Sequence, residues 1–264
     1  MSSSTTGATS VELPATERAA WPGSGWLRIA VLAGLAGGLA ASAWNSLLGG
    51  SVLGQAIKLE NAATTHVHAV AITEPFTRRE QQGGMVLGEL LLGCGLGLLI
   101  AGAALLAGPR FLGPVQRAWI ALVGVGAWSF LVLPAIAYPA MPPGVESSLS
   151  IDTRQLSYVT LVCSGVLGAV LARVAWLRLD GRVRVVVGAA AFLCPALLAV
   201  VLLPHEHAAT PIGHGLLTRF RLVAVGSQAM FWGLMGIAGL WLLDHEVGAA
   251  VRAARARLAP LNRR

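Results

Sequence analysis

The sequence predicts an all-α, polytopic integral membrane protein: a bundle of six transmembrane helices, or five if the first is cleaved. Three observations carry this. The 264 residues are 55% hydrophobic and only 12% charged, where an ordinary globular chain carries about 25% charged residues. Mean hydropathy is +0.70. Six apolar runs each approach the roughly 20 residues that cross a hydrocarbon core of about 30 Å. In lipid such runs must be helical, because no solvent is present to satisfy an open backbone amide.

In chain order, residues 1–25 are rich in Ser, Thr and Ala, lack apolar periodicity and read as a disordered tail. The runs that follow are Leu27–Leu48, Met85–Ala107, Ala118–Ala137, Leu156–Leu177, Val183–Leu203 and Leu222–Leu243. The first has a second reading. Ala41-Ser42-Ala43 resembles a signal-peptidase site behind a short apolar stretch, Ile29–Ala40. The run nevertheless continues to Leu48 behind a long tail containing Glu12 and Glu17, which favours a retained helix. Residues 26–243 thus form the membrane domain, and 244–264 a basic tail.

Within the runs, Gly34/Gly38, Gly93/Gly97 and Gly233/Gly236/Gly239 recur at spacings that let helix backbones approach closely. Pro134 and Pro195 each remove a helical donor, so kinks are expected there. Cys94, Cys163 and Cys194 lie inside apolar runs without CxxC spacing and read as small interior residues.

The net charge of +7 does not point to nucleic acid, because the arginines sit at the ends of apolar runs and anchor them. Arg18, Arg28, Arg110, Arg117, Arg173, Arg178, Arg182, Arg184, Arg252, Arg255, Arg257, Arg263 and Arg264 fall on one set of alternating segments. Lys58, Arg78, Arg79, Arg154, Arg219 and Arg221 fall on the other. By the positive-inside rule the richer set, with both termini, is cytoplasmic.

That topology places five of the six histidines outside: His66 and His68 between the first two runs, and His205, His207 and His214 between the last two. Glu60, Glu74, Glu80 and Glu206 accompany them. Imidazole with carboxylate suits Co²⁺, Ni²⁺ or Zn²⁺, and His66, His68, His205, His207, His214 and Glu74 are the candidate metal ligands. Solvated loop histidines fit the same positions, and neither His pair has structural-zinc spacing. Glu89, Arg154, Arg219, Arg221 and Gln228 are candidate path or structural polar groups at the outer ends of the runs. Glu89 lies about one turn into the second run, where it either pairs with Arg221 or snorkels. The chain lacks GxxxxGK[ST], HExxH and GxSxG, which argues against an ATP motor, a zinc protease or a serine hydrolase in this polypeptide.

Three stretches resemble the CbtA family of predicted cobalt-transporter subunits, especially its actinobacterial branch. They are Glu74-Pro75-Phe76-Thr77-Arg78-Arg79-Glu80-Gln81, the Pro-rich Tyr138–Val145 with Asp152-Thr153-Arg154, and Arg219-Phe220-Arg221-Leu222 followed by Gly226, Gln228 and Trp232. The resemblance spans roughly residues 26–243. It implies a non-enzymatic membrane component of a divalent-cobalt uptake system linked to cobalamin supply, in the bacterial cytoplasmic membrane. Co²⁺ is then the transported ion, with no permanently bound cofactor. It also implies a small single-span CbtB-type partner carrying its own His-rich end. A non-transporting scaffold that stabilises such a partner is the alternative, and the oligomeric state stays open.

Overall fold

The computed structural model describes the backbone of residues 25–64, 77–142, 148–205 and 214–258. Within them every regular element is helical, and six helical spans are long and apolar enough to cross a membrane. The chain is a multi-pass membrane protein. The tail at residues 1–24 and the residues beyond Leu258 lie outside the described residues.

The first span joins α1 (Gly25–Trp44) to α2 (Gly50–Thr64) through a π-helical turn, Asn45–Gly49. The second is α3 (Arg78–Leu112). The third comprises α4 (Val115–Ala127), a π turn (Trp128–Val132) and α5 (Leu133–Ala137). The remaining three are α6 (Ile151–Arg178), α7 (Gly181–Leu202) and α8 (His214–Leu258). Several helices outrun their apolar runs. The second span has 34 residues, about 50 Å at 1.5 Å per residue, so its polar first turns project beyond a hydrocarbon core of about 30 Å.

Helices end where backbone chemistry requires. In α3 the apolar run stops at Ala107; Gly108 then takes φ 67°, a left-handed conformation that favours Gly, and Pro109 follows. Pro134 does deform its span, through the preceding π turn. The Leu133 N–H reaches back to the Trp128 carbonyl, and this wider turn relieves the crowding a proline ring imposes on the turn before it. Pro195 lies inside α7, which runs on to Leu202.

The centre of the bundle is α1, packed between α3 and α8, with α4 against α8. Gly34 and Gly93 face each other so closely that a Cβ on either would collide with the other's carbonyl. Gly97 meets the Ala30 carbonyl in the same way, and a Cβ on Gly38 would lie 2.5 Å from the Glu89 carbonyl. The Gly pairs of the first two runs therefore form one interlocked seam, held by van der Waals contact, since lipid supplies little hydrophobic drive between helices. In α8 the expectation holds differently. Gly239 makes room for the Trp119 indole rather than for a backbone, and Gly233 faces open space. A second unit, α6 against α7, joins the rest through the third span. There Gly168 abuts the Phe192 carbonyl and Gly165 the Ser129 hydroxyl.

The cysteines correct an expectation. Cys163 and Cys194 are exposed and Cys94 is half-buried; all three are free. A small, weakly polar side chain gains little from being buried when the surrounding solvent is hydrocarbon.

Candidate functional site

At the end of the bundle that carries the first-to-second and fifth-to-sixth connections, the spans part around a cleft of about 350 Å³. Asn45, Ser46, Gln81, Gln82, Met85 and Phe220 contribute to its lining. The π turn of the first span borders it. Asn45 itself makes the polar contacts that tie three spans together. Its Nδ2 donates to Glu89 Oε1 at 3.1 Å and to Ser227 Oγ at 2.9 Å. Glu89 Oε2 is buried without a protein partner.

Glu89 lies eleven residues into α3, about three helical turns, of which the first two are polar and only the last lies within the apolar run. Its partner is Asn45, and the described residues contain no Glu89–Arg221 ion pair. Arg221 and Ser227 are six residues apart on α8, about 9 Å along the axis, so Arg221 sits nearer the helix end. The two arginines divide as their spacing requires: Arg219 is exposed, while Arg221 is half-buried with its Nε lacking a protein partner. Gln228 is half-buried beside Ser227, and Arg154 is half-buried in the first turn of α6.

Of the candidate metal ligands, His66, His68, Glu74 and His207 lie outside the described residues. His214 opens α8. His205 is exposed on the chain leaving α7, directly after Pro204, whose carbonyl accepts a 2.8 Å hydrogen bond from the Tyr138 hydroxyl. Tyr138 thus ties the Pro-rich segment to the His205 segment. Glu80 drops out as an available loop carboxylate. Thr77 N–H donates to Glu80 Oε2 at 2.6 Å while Glu80 N–H donates to Thr77 Oγ1, a reciprocal capping box that starts α3. Ser150 likewise caps α6 by accepting from Thr153 N–H. No group of three or more His, Cys, Asp or Glu side chains able to hold a metal occurs among the described residues.

Sequence reasoning missed Asn45 and Ser227. The available signal was an Asn beside Trp44 inside an apolar run, since a primary amide in a lipid-embedded helix needs an interhelical partner.

The opposite end is knitted by charge. Arg28 forms an ion pair with Glu246, and Gln116 Nε2 donates to Asp244 Oδ1 at 3.0 Å. Arg173 Nε donates to the Phe111 carbonyl at 2.5 Å, with its guanidinium 5.8 Å from that ring's centroid.

The fold and the site define a six-span membrane bundle with a cleft at one end and a partly buried carboxylate–amide–hydroxyl junction beside it. Residues 25–244 match the family model described as "Probable cobalt transporter subunit (CbtA)", and the chain belongs to that family. Its function is that of a membrane subunit in cobalt transport, which makes it part of a larger assembly. Comparison with curated proteins and with solved structures gives no match.

Proposed function

We propose that this chain provides the entry route for Co²⁺ in an uptake system of the bacterial cytoplasmic membrane that supplies cobalamin synthesis. The observation that carries this reading is the cleft between the first, second and sixth spans, at the end of the bundle where His205 and His214 lie. External His66, His68, His205, His207, His214 and Glu74 collect the ion, and the cleft passes it toward the junction. The ligands act singly or in pairs, so binding stays weak enough for release, as conduction requires. A membrane potential negative inside favours entry of a dication by about 4.6 kcal/mol per 100 mV. The chain itself catalyses nothing. A single-span CbtB-type partner with a His-rich end completes the assembly.

The test is uptake of radiolabelled Co²⁺ into proteoliposomes holding this chain alone, the chain with its partner, or the partner alone. Uptake that needs this chain supports the route. Full uptake by the partner alone would leave this chain a scaffold.

A further inference from the structure

Resting on the reading of this chain as the metal's route, we propose that Asn45, Glu89 and Ser227 form a transient, all-oxygen cation site inside the bundle, reached when the Asn45 amide rotates. Three spans each contribute one side chain, and a single Asn45 nitrogen now sits between Glu89 Oε1 at 3.1 Å and Ser227 Oγ at 2.9 Å. An Asn side chain carries a donor and an acceptor on one planar group. Turning that group over puts Oδ1 where Nδ2 was, and three oxygens then face one point. A cation at that point replaces the two N–H hydrogens that hold the acceptors together in the present form.

Two further observations point the same way. Glu89 Oε2 is buried with no protein partner, and no ion pair with Glu89 exists among the described residues. An ionised carboxylate at this depth needs a positive partner. The second is access. Asn45 also lines the cleft and begins the π turn of the first span, and single π turns inside helices often accompany functional sites. The seam at Gly38 holds the Glu89 backbone close against α1, so the carboxylate stays within reach of Asn45. Carboxylate, amide and hydroxyl oxygens hold Co²⁺ less firmly than imidazoles do. Such a site releases the ion, as a relay must.

Glu89→Gln separates this from a structural hydrogen-bonding role, because a Gln oxygen still accepts from Asn45 while the charge is gone. Radiolabelled Co²⁺ uptake is measured in cells carrying the complete transport system, with protein abundance measured alongside. Cobalt-edge X-ray absorption is recorded on the purified full-length chain in nanodiscs with cobalt chloride. Glu89→Gln is expected to accumulate normally and to lower maximal uptake about tenfold or more. In a variant lacking His66, His68, His205, His207 and His214, the spectrum is expected to show oxygen-only coordination that disappears when Glu89→Gln is added. Asn45→Asp, which presents oxygen in either orientation, is expected to gain thermal stability with cobalt chloride beyond the wild type. This variant decides the matter if Glu89→Gln does not accumulate. Normal uptake by Glu89→Gln, or no added cobalt stabilisation of Asn45→Asp, overturns the site while leaving the chain's role in transport standing. Normal uptake by cells lacking this chain overturns that role itself.

Discussion

Trp44 and Trp119 make the same contact at two levels of α8. The Trp44 indole N–H donates to the Val223 carbonyl at 3.0 Å with its ring over Gly226; the Trp119 N–H donates to the Gly236 carbonyl at 2.9 Å with its ring over Gly239. In each case a glycine three residues beyond the acceptor leaves space for the ring. Trp119→Phe loses the hydrogen bond, about 0.6 kcal/mol, and leaves part of the indole's space over Gly239 empty, so thermal denaturation in detergent is expected to show a loss of about 1 kcal/mol or more. Gly239→Ala drives a methyl into a fully buried ring and should cost more, about 1–3 kcal/mol. The polar junction follows the same logic. Asn45→Ala strips Glu89 Oε1 of its donor, whereas Arg221→Ala leaves that bond intact, so Asn45→Ala is expected to lower folded abundance more. The reverse order would restore Arg221 as the partner of Glu89. At the loops, imidazole must be neutral to bind metal. His205→Ala with His207→Ala should therefore raise the Co²⁺ concentration for half-maximal uptake, and acidification should do the same to the wild type. His245→Ala should do neither, because its ring stacks on Trp241 at the other end, with Nδ1 on the Trp241 carbonyl.

Between elements, the seam of α1 with α3 is the most sharply testable contact. Gly93 and Gly95 are two positions apart on α3, yet a Cβ at Gly93 meets the Gly34 carbonyl while one at Gly95 meets nothing within 4 Å. Gly93→Ala is expected to destabilise by about 1–3 kcal/mol, and Gly95→Ala to be neutral or stabilising by up to about 1 kcal/mol. Equal melting temperatures for the two variants would remove the seam from the account of stability. This seam was legible in the sequence as a candidate, because small residues four apart on each of two runs permit close approach. Spacing does not say what fills the space, however. The Gly pattern of α8 turned out to seat a Trp ring, and the Gly165 and Gly168 contacts carried no matching repeat. The π turns were not legible either, since an extra residue in one turn leaves the apolar run unbroken. Asn45 was visible as a lone amide in an apolar run, but its partners Glu89 and Ser227 lie on other spans and no local spacing names them. The stretches Thr77–Glu80 and Asp152–Arg154, which carried part of the family resemblance, lie at the starts of helices. In this chain Thr77, Glu80 and Thr153 serve helix capping, which accounts for them before any role in transport is needed.

For the whole molecule, the polar contacts divide the two ends of the bundle. The Arg28–Glu246 ion pair, the Gln116–Asp244 hydrogen bond and the Arg173 contact with Phe111 gather the start of the first span, the second-to-third turn and the end of the sixth at one end. In the fourth-to-fifth connection Arg184 pairs with Asp180 and lies with its guanidinium 5.3 Å from the Trp176 ring centroid. The described arginines of the richer set, Arg28, Arg110, Arg117, Arg173, Arg178, Arg182 and Arg184, therefore lie at one end, and the positive-inside rule reads that end as cytoplasmic. Cysteines replacing His66, His205 and His214, one at a time, are expected to react with a membrane-impermeant maleimide in intact cells. A cysteine replacing Arg182 is expected to react only after permeabilisation. The background lacks Cys94, Cys163 and Cys194, which are all free thiols, so that any label reports the introduced cysteine. Labelling of the Arg182 position in intact cells, with silence at the three histidine positions, would invert the molecule. The cleft would then open to the cytoplasm and serve as an exit, and the loop histidines would receive the ion rather than collect it.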